Sequence, residues 1–130
     1  MAARVKDLKA IPLFADLEPS ALERLAELAN EVDVPAGRPL TQPGAHGSGM
    51  FFVVDGTVEV EAREAWRELG PGEFFGELAL LTEGGTRTAR VRAKTDVRCV
   101  AFDRAGFEDL VREHPAIAAT LLETALTRLD

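Results

Sequence analysis

Met50-Phe51-Phe52-Val53-Val54-Asp55-Gly56-Thr57-Val58-Glu59-Val60-Glu61 decides the fold class. The first five residues are an unbroken apolar, β-favouring run, which reads as a strand buried on both faces. Asp55-Gly56 is a tight-turn signal, because glycine accepts the positive φ that such turns need. From Thr57 the chain alternates apolar with polar, the pattern of a strand with one wet face. The twelve residues together read as a β-hairpin.

Outward from the hairpin the same character persists. Val32 and Val34 alternate with Asp33, Pro35-Ala36-Gly37 turns the chain, and Arg38 to Thr41 reads as a second short strand. Gln42 to Gly49 is a loop by its Gly and Pro content. Downstream, Trp66 to Leu69 reads as a strand closed by Gly70-Pro71-Gly72, and further strands are expected over Arg87 to Lys94 and Val97 to Phe102. Many short strands at regular spacing with Gly and Pro turns indicate a β-sandwich or jelly roll. Helical patterns flank this region. Val5 to Ala10 reads as a short helix ended at Ile11-Pro12. Glu18-Pro19-Ser20 opens a second helix to about Ala29, with Ala21, Leu22, Leu25, Leu28 and Ala29 on one face. Asp103 reads as an N-cap for Arg104 to Glu113, and Pro115 as a first-turn proline of a last helix through Leu129. Ile117, Leu121, Leu122, Ala125, Leu126 and Leu129 form its apolar stripe, suited to the barrel or to a second subunit. The expectation is one domain over 1–130: helical to 30, a β-barrel over 31–103, and C-terminal helices over 104–129.

The chain has 130 residues, 46% of them apolar, and a net charge of −7. A chain of this length buries roughly two-thirds of its unfolded surface, enough for its own core. The acidic balance argues against direct contact with nucleic acid or an anionic membrane, which need a basic face. Cys99 is the single cysteine, so no internal disulfide and no multi-cysteine metal site is expected. No apolar run approaches the ~20 residues of a membrane helix. Met1 to Ala10 carries Arg4, Lys6 and Lys9 without a long apolar core, so it does not read as a secretory signal, and a cytoplasmic protein is expected.

Chemistry concentrates between Gly72 and Arg92. Phe75-Gly76-Glu77 precedes the short apolar run Leu78 to Leu81, long enough for one or two helical turns. Gly84-Gly85 and then Arg87-Thr88-Ala89 follow. N–H groups at a helix start lack internal partners and favour an anion. Arg87 adds a planar donor fork that matches phosphate, and Thr88 adds a hydroxyl donor. Glu77 is an acceptor and suits a sugar hydroxyl beside that phosphate. Charge-assisted hydrogen bonds contribute roughly 1.5–3 kcal/mol each, and a helix start roughly 0.3–1 kcal/mol more. Two or three such contacts approach the ~8 kcal/mol of micromolar binding.

This segment resembles the phosphate-binding cassette of cyclic nucleotide-binding domains, the family of bacterial catabolite activators and kinase regulatory subunits. The shared pattern is Phe-Gly-Glu, an apolar run, a variable gap, then Arg with a small or hydroxyl residue and Ala. The resemblance extends to the Pro-Ala-Gly and Asp-Gly turns, to Leu-Gly-Pro-Gly before the cassette, and to Leu13-Phe14 ahead of the barrel. It implies a double-stranded β-helix that binds cAMP or cGMP, with no metal. In that reading Glu77 takes the ribose 2′-hydroxyl and Arg87 the cyclic phosphate. Gly76, Leu78 and Ala79 offer backbone contacts, Thr88 reaches the phosphate or base, and Phe75 and Ala89 complete the motif. The gap from Glu77 to Arg87 is of the longer bacterial type, which favours cAMP. The resemblance further implies that C-terminal helices 104–129 move on binding and signal to a protein partner or effector domain, with a weak homodimer as one form. The last helix is short for the family's dimerising type, and base-capping residues that other members place late in it are expected to be missing.

Other readings compete. Glu77 and Arg87 fit a structural salt bridge, and Gly84-Gly85 a plain turn. Arg90 and Arg92 read as solvated strand residues, His46 as an exposed loop residue and His114 as a helix-terminus residue. Cys99, Trp66, Phe74 and Phe75 read as core. A degenerate domain that keeps the fold as an interaction surface is one alternative function. A cupin-like metalloenzyme is another, disfavoured because it needs several metal-binding histidines and the chain has two.

Overall fold

The computed structural model describes residues 3–41, 49–62, 65–76 and 90–128. Among them run helices α1 (Val5–Lys9) and α2 (Pro19–Leu28), then strands β1 (Ala29–Val34), β2 (Pro39–Thr41), β3 (Gly49–Asp55), β4 (Val58–Ala62), β5 (Ala65–Leu69), β6 (Phe74–Phe75), β7 (Arg90–Ala93) and β8 (Val97–Asp103). Helices α3 (Arg104–Glu113) and α4 (Pro115–Arg128) follow. The strands form two antiparallel sheets, ordered β1-β8-β3-β6 and β2-β7-β4-β5. This is the jelly-roll arrangement with flanking helices that the strand spacing indicates.

The first sheet is apolar on both faces, as the unbroken run in β3 requires. Met50, Phe52, Val100 and Phe102 join Leu8, Phe14, Leu22, Leu25, Leu110, Ile117 and Leu121 in a core between sheet and helices. Val53, Val97, Cys99 and Phe75 point the other way and meet Val58, Val60, Leu69, Val91 and Ala93 of the second sheet. Residues alternate strictly along a strand, so β3 and β8 each supply both cores. Phe14, Phe52 and Phe102 pack at tilted and edge-on angles with centroids 4.9–6.2 Å apart, the geometry that ring quadrupoles favour.

Helix ends follow the local chemistry. Pro19 occupies the first turn of α2 and Pro115 opens α4, where a missing N–H costs nothing. The Asp103 carboxylate accepts from Gly106 N at 2.7 Å and caps α3. The α2 helix ends at Leu28, one residue short of the expected limit. Ala29 is already buried in β1, opposite Phe102. A buried carboxylate ties α1 to the sheet: Asp7, 3% exposed, accepts from Arg98 Nη2 at 3.1 Å. Arg98 also pairs with Glu31, and Arg4 lies 3.5 Å from Asp7. The hydrogen bond to Asp7 is the largest influence raising the Arg98 pKa, against a lowering by desolvation. Hydrogen-bonded pairing of this kind is what lets a carboxylate sit inside a core.

Three readings change or sharpen. The hairpin expected over Met50 to Glu61 does not form: both strands are present, but β3 pairs with β8 and β6 in the first sheet and β4 with β5 and β7 in the second, so Asp55-Gly56 turns the chain from one sheet to the other. Trp66 is not core but 55% exposed. It stands opposite Glu61 on β5, last in the order of the second sheet, on the face away from the inter-sheet core. The stripe on α4 divides: Ile117 and Leu121 are buried, whereas Leu122 and Leu126 are 50% and 57% exposed. Gln42 to Ser48, with His46, lie outside the described residues.

A Cβ on Gly106 would stand 2.8 Å from the Leu28 carbonyl oxygen. Gly106→Ala therefore destabilises the protein in denaturant unfolding, although alanine is the better helix former by about 1 kcal/mol in an open helix. A stabilised variant would contradict the α2–α3 packing. The Cys99 thiol is buried and its pKa is pushed up to about 12, chiefly by desolvation. The thiolate is the reactive form. Alkylation at neutral pH should therefore be negligible in the folded chain and rapid in denaturant; fast native-state labelling would contradict the burial.

Candidate functional site

The stretch expected to form the phosphate-binding cassette is approached through β6, a two-residue strand at the end of the first sheet's order. Glycines at φ +90° stand on either side of it, Gly72 before and Gly76 after. That backbone region is open mainly to glycine, so Leu-Gly-Pro-Gly and Phe-Gly-Glu carry their glycines for a conformational reason. Backbone hydrogen bonds hold the turn just before the strand to β3: Gly72 N donates to Val53 O at 2.8 Å, and Val53 N to Glu73 O at 2.9 Å. The turn is closed by Gly70 N donating to Glu73 Oε1 at 3.0 Å. Pro12 backs it closely, since a Cβ on Gly72 would fall 2.9 Å from the Pro12 Cδ.

Both side chains of β6 are anchored, one on each face. Phe74 meets Phe52 on the helical side at 5.5 Å. Phe75, 3% exposed, lies on Phe51 with rings 5.0 Å apart and 13° from parallel. After Gly76 the chain next enters the description at Arg90, in β7 of the second sheet. The segment 77–89 is thus tethered at one end to each sheet. Of the residues singled out by sequence, Phe75 and Gly76 take the positions just described. Glu77, Leu78, Ala79, Arg87, Thr88 and Ala89, with Gly84 and Gly85, lie outside the described residues.

The remaining candidates have ordinary roles. Arg92 pairs with Glu59 at 3.4 Å and Arg90 with Glu61 at 3.9 Å, across the exposed face of β4 and β7. They are solvated strand residues and not a second anion site. His114 ends α3, its N–H donating to Leu110 O at 3.0 Å. Among the described residues no group of three or more His, Cys, Asp or Glu is placed to hold a metal ion. No described helix is long and apolar enough to cross a membrane.

Two features escaped the sequence reading. One is the Phe51–Phe75 stack, which depends on the β3–β6 register and has no local signal. The other is a cavity of about 440 Å³ lined by Asp33, Val34, Pro35, Asp55, Asp96, Val97 and Arg98. It lies at the Asp55 end of β3, away from the Met50 end toward which β6 runs. Two of its three acids are engaged in turns: Asp96 Oδ1 accepts from Ala36 N at 2.9 Å, and Asp55 Oδ1 from Gly56 N at 3.0 Å.

Comparison with known proteins places this architecture. The family description "Cyclic nucleotide-binding domain" matches residues 31–114, from β1 to the end of α3. A cyclic nucleotide-gated potassium channel of Mesorhizobium japonicum is 41% identical over 92% of this chain and 33% of its own length. A CRP-like cAMP-activated global transcriptional regulator of Mycobacterium tuberculosis is 31% identical over 90% of this chain and 54% of its own. The chain therefore spans about a third of the one and about half of the other. The crystal structure of the Thermus thermophilus catabolite activator protein superposes with a TM-score of 0.75 and 31% identity, covering 91% of this chain and 58% of that one. A two-sheet jelly roll, glycines at positive φ around β6, and a match over most of the barrel agree, and the chain belongs to the cyclic nucleotide-binding domain family.

Proposed function

We propose that this chain is a regulatory module that binds a cyclic nucleotide, cAMP in preference to cGMP, within a single domain spanning 1–130. The observation that carries this reading is the tethering of the Glu77–Ala89 stretch. It leaves the first sheet through a glycine at φ +90° and returns as β7 of the second. The residue types within it fit the ligand. The Glu77 carboxylate accepts from the ribose 2′-hydroxyl. The Arg87 guanidinium presents two N–H donors to the cyclic phosphate, Thr88 adds a hydroxyl, and backbone N–H groups of Gly76, Leu78 and Ala79 complete the anion's shell. A net charge of −7 opposes an anionic ligand at long range, so affinity rests on these short contacts, which salt screens least.

Occupation of the site favours one placement of α3 and α4 over another, a population shift driven by differential affinity. A protein partner, or a second copy in a weak homodimer, reads the change along α4, where Leu122 and Leu126 are exposed. No catalytic role and no metal is assigned, and a cytoplasmic setting is part of the proposal. The relatives, a channel gated by cyclic nucleotide and a regulator activated by cAMP, support the ligand class.

The test is calorimetric titration with cAMP and with cGMP, beside Arg87→Ala. Saturable binding is expected, tighter for cAMP. Loss of about 1.5–3 kcal/mol with the charge-assisted contacts of Arg87 weakens the variant roughly 10- to 150-fold. Equal affinity in the variant would remove Arg87 from the phosphate site.

A further inference from the structure

We propose that Phe51 is a positioning residue for the nucleotide site: its ring, laid flat on Phe75, fixes the end of β6 and so the point from which the chain turns into Glu77. This inference rests on the nucleotide-binding reading above. A strand of two residues has little hold of its own. Its register with β3 consists of two pairs, Phe51 with Phe75 and Phe52 with Phe74. The Phe74 side is secured by the helical core, where Phe52 also meets Phe14 and Phe102. The Phe75 side faces the inter-sheet core, and the near-parallel ring beneath it is Phe51. Immediately beyond stands Gly76 at φ +90°. The two backbone hydrogen bonds to Val53 are made by Gly72 and Glu73, ahead of β6 and at the end away from Gly76. The stack on Phe51 adds a side-chain hold to the strand pairing at the Phe75 end.

The chemical consequence is preorganisation. A carboxylate and a set of N–H donors bind a phosphate sugar well only when held near the bound geometry before the ligand arrives. Phe51 needs no contact with the nucleotide to matter; it acts through Phe75 and Gly76. A flat ring is required, because an aliphatic side chain fills the volume without the broad parallel face.

The test uses the 130-residue chain with Phe51→Leu and Phe51→Tyr. Leu25→Val, in the helical core remote from β6, controls for general destabilisation. Two quantities are measured: Kd for cAMP and for cGMP by calorimetry, and hydrogen exchange at the Gly72 and Val53 amides without ligand. Phe51→Leu is expected to raise Kd about tenfold and to speed exchange at both amides. Phe51→Tyr keeps both near their original values. Leu25→Val lowers Tm but leaves Kd and the two local amides unchanged. Equal Kd in Phe51→Leu, or unaltered exchange at Gly72 and Val53, would overturn the proposal. Silence of the unaltered chain toward both nucleotides is a different result, and it overturns the reading of the site on which the proposal rests.

Discussion

Burial of both faces of the sheet β1-β8-β3-β6 is the constraint on which the rest of the molecule depends. A sheet with one apolar face needs one covering layer; a sheet with two needs a layer on each side. Met50, Phe52, Val100 and Phe102 call for the helices, while Val53, Val97, Cys99 and Phe75 call for the second sheet. Each fully buried side chain of this size contributes about 1.5–3 kcal/mol relative to exposure, so neither layer is dispensable. The arrangement also sets where the segment 77–89 joins the fold. The strand before that segment, β6, belongs to the doubly covered sheet, and the strand after it, β7, belongs to its cover.

Polar contacts refine this frame. The Asp7–Arg98 pair joins the first helix to β8, and Arg24 reaches Glu113 at 3.3 Å and Asp109 at 3.7 Å to join α2 to α3. The second set is solvent-exposed and contributes little to stability; its effect is on which surfaces face each other. Closer constraint comes from Gly106, whose missing side chain lets α3 approach the end of α2. The α2 and α3 helices thus form one packed unit against the sheet. The last helix meets it through Ile117 and Leu121 and keeps Leu122 and Leu126 open.

Features carried by neighbouring residues were legible in the sequence. The apolar run Met50 to Val54, the glycine turns, the Asp103 cap and the Pro115 helix start are local signals, and each appears where the pattern puts it. Features made by distant residues were not legible. Trp66 looked like core because an aromatic in a strand usually is, but its place in the sheet order puts it in solvent. The Asp7–Arg98 pair spans 91 residues, and the Phe51–Phe75 stack exists only through strand pairing. The proposed cassette rests on a pattern of residue types from Phe75 to Ala89, of which Phe75 and Gly76 are among the described residues. Its glycine spacing acquires a physical cause in the positive φ of Gly72 and Gly76.

The central claim is that a cyclic nucleotide seats on the segment tethered between the two sheets. The most direct test is hydrogen exchange along the chain with and without saturating cAMP. The account predicts slowed exchange across 72–92, with a second change in α3 and α4, and no change around Asp33, Asp55 and Asp96. Protection confined to the cavity those aspartates line, with 72–92 unaffected, would contradict it.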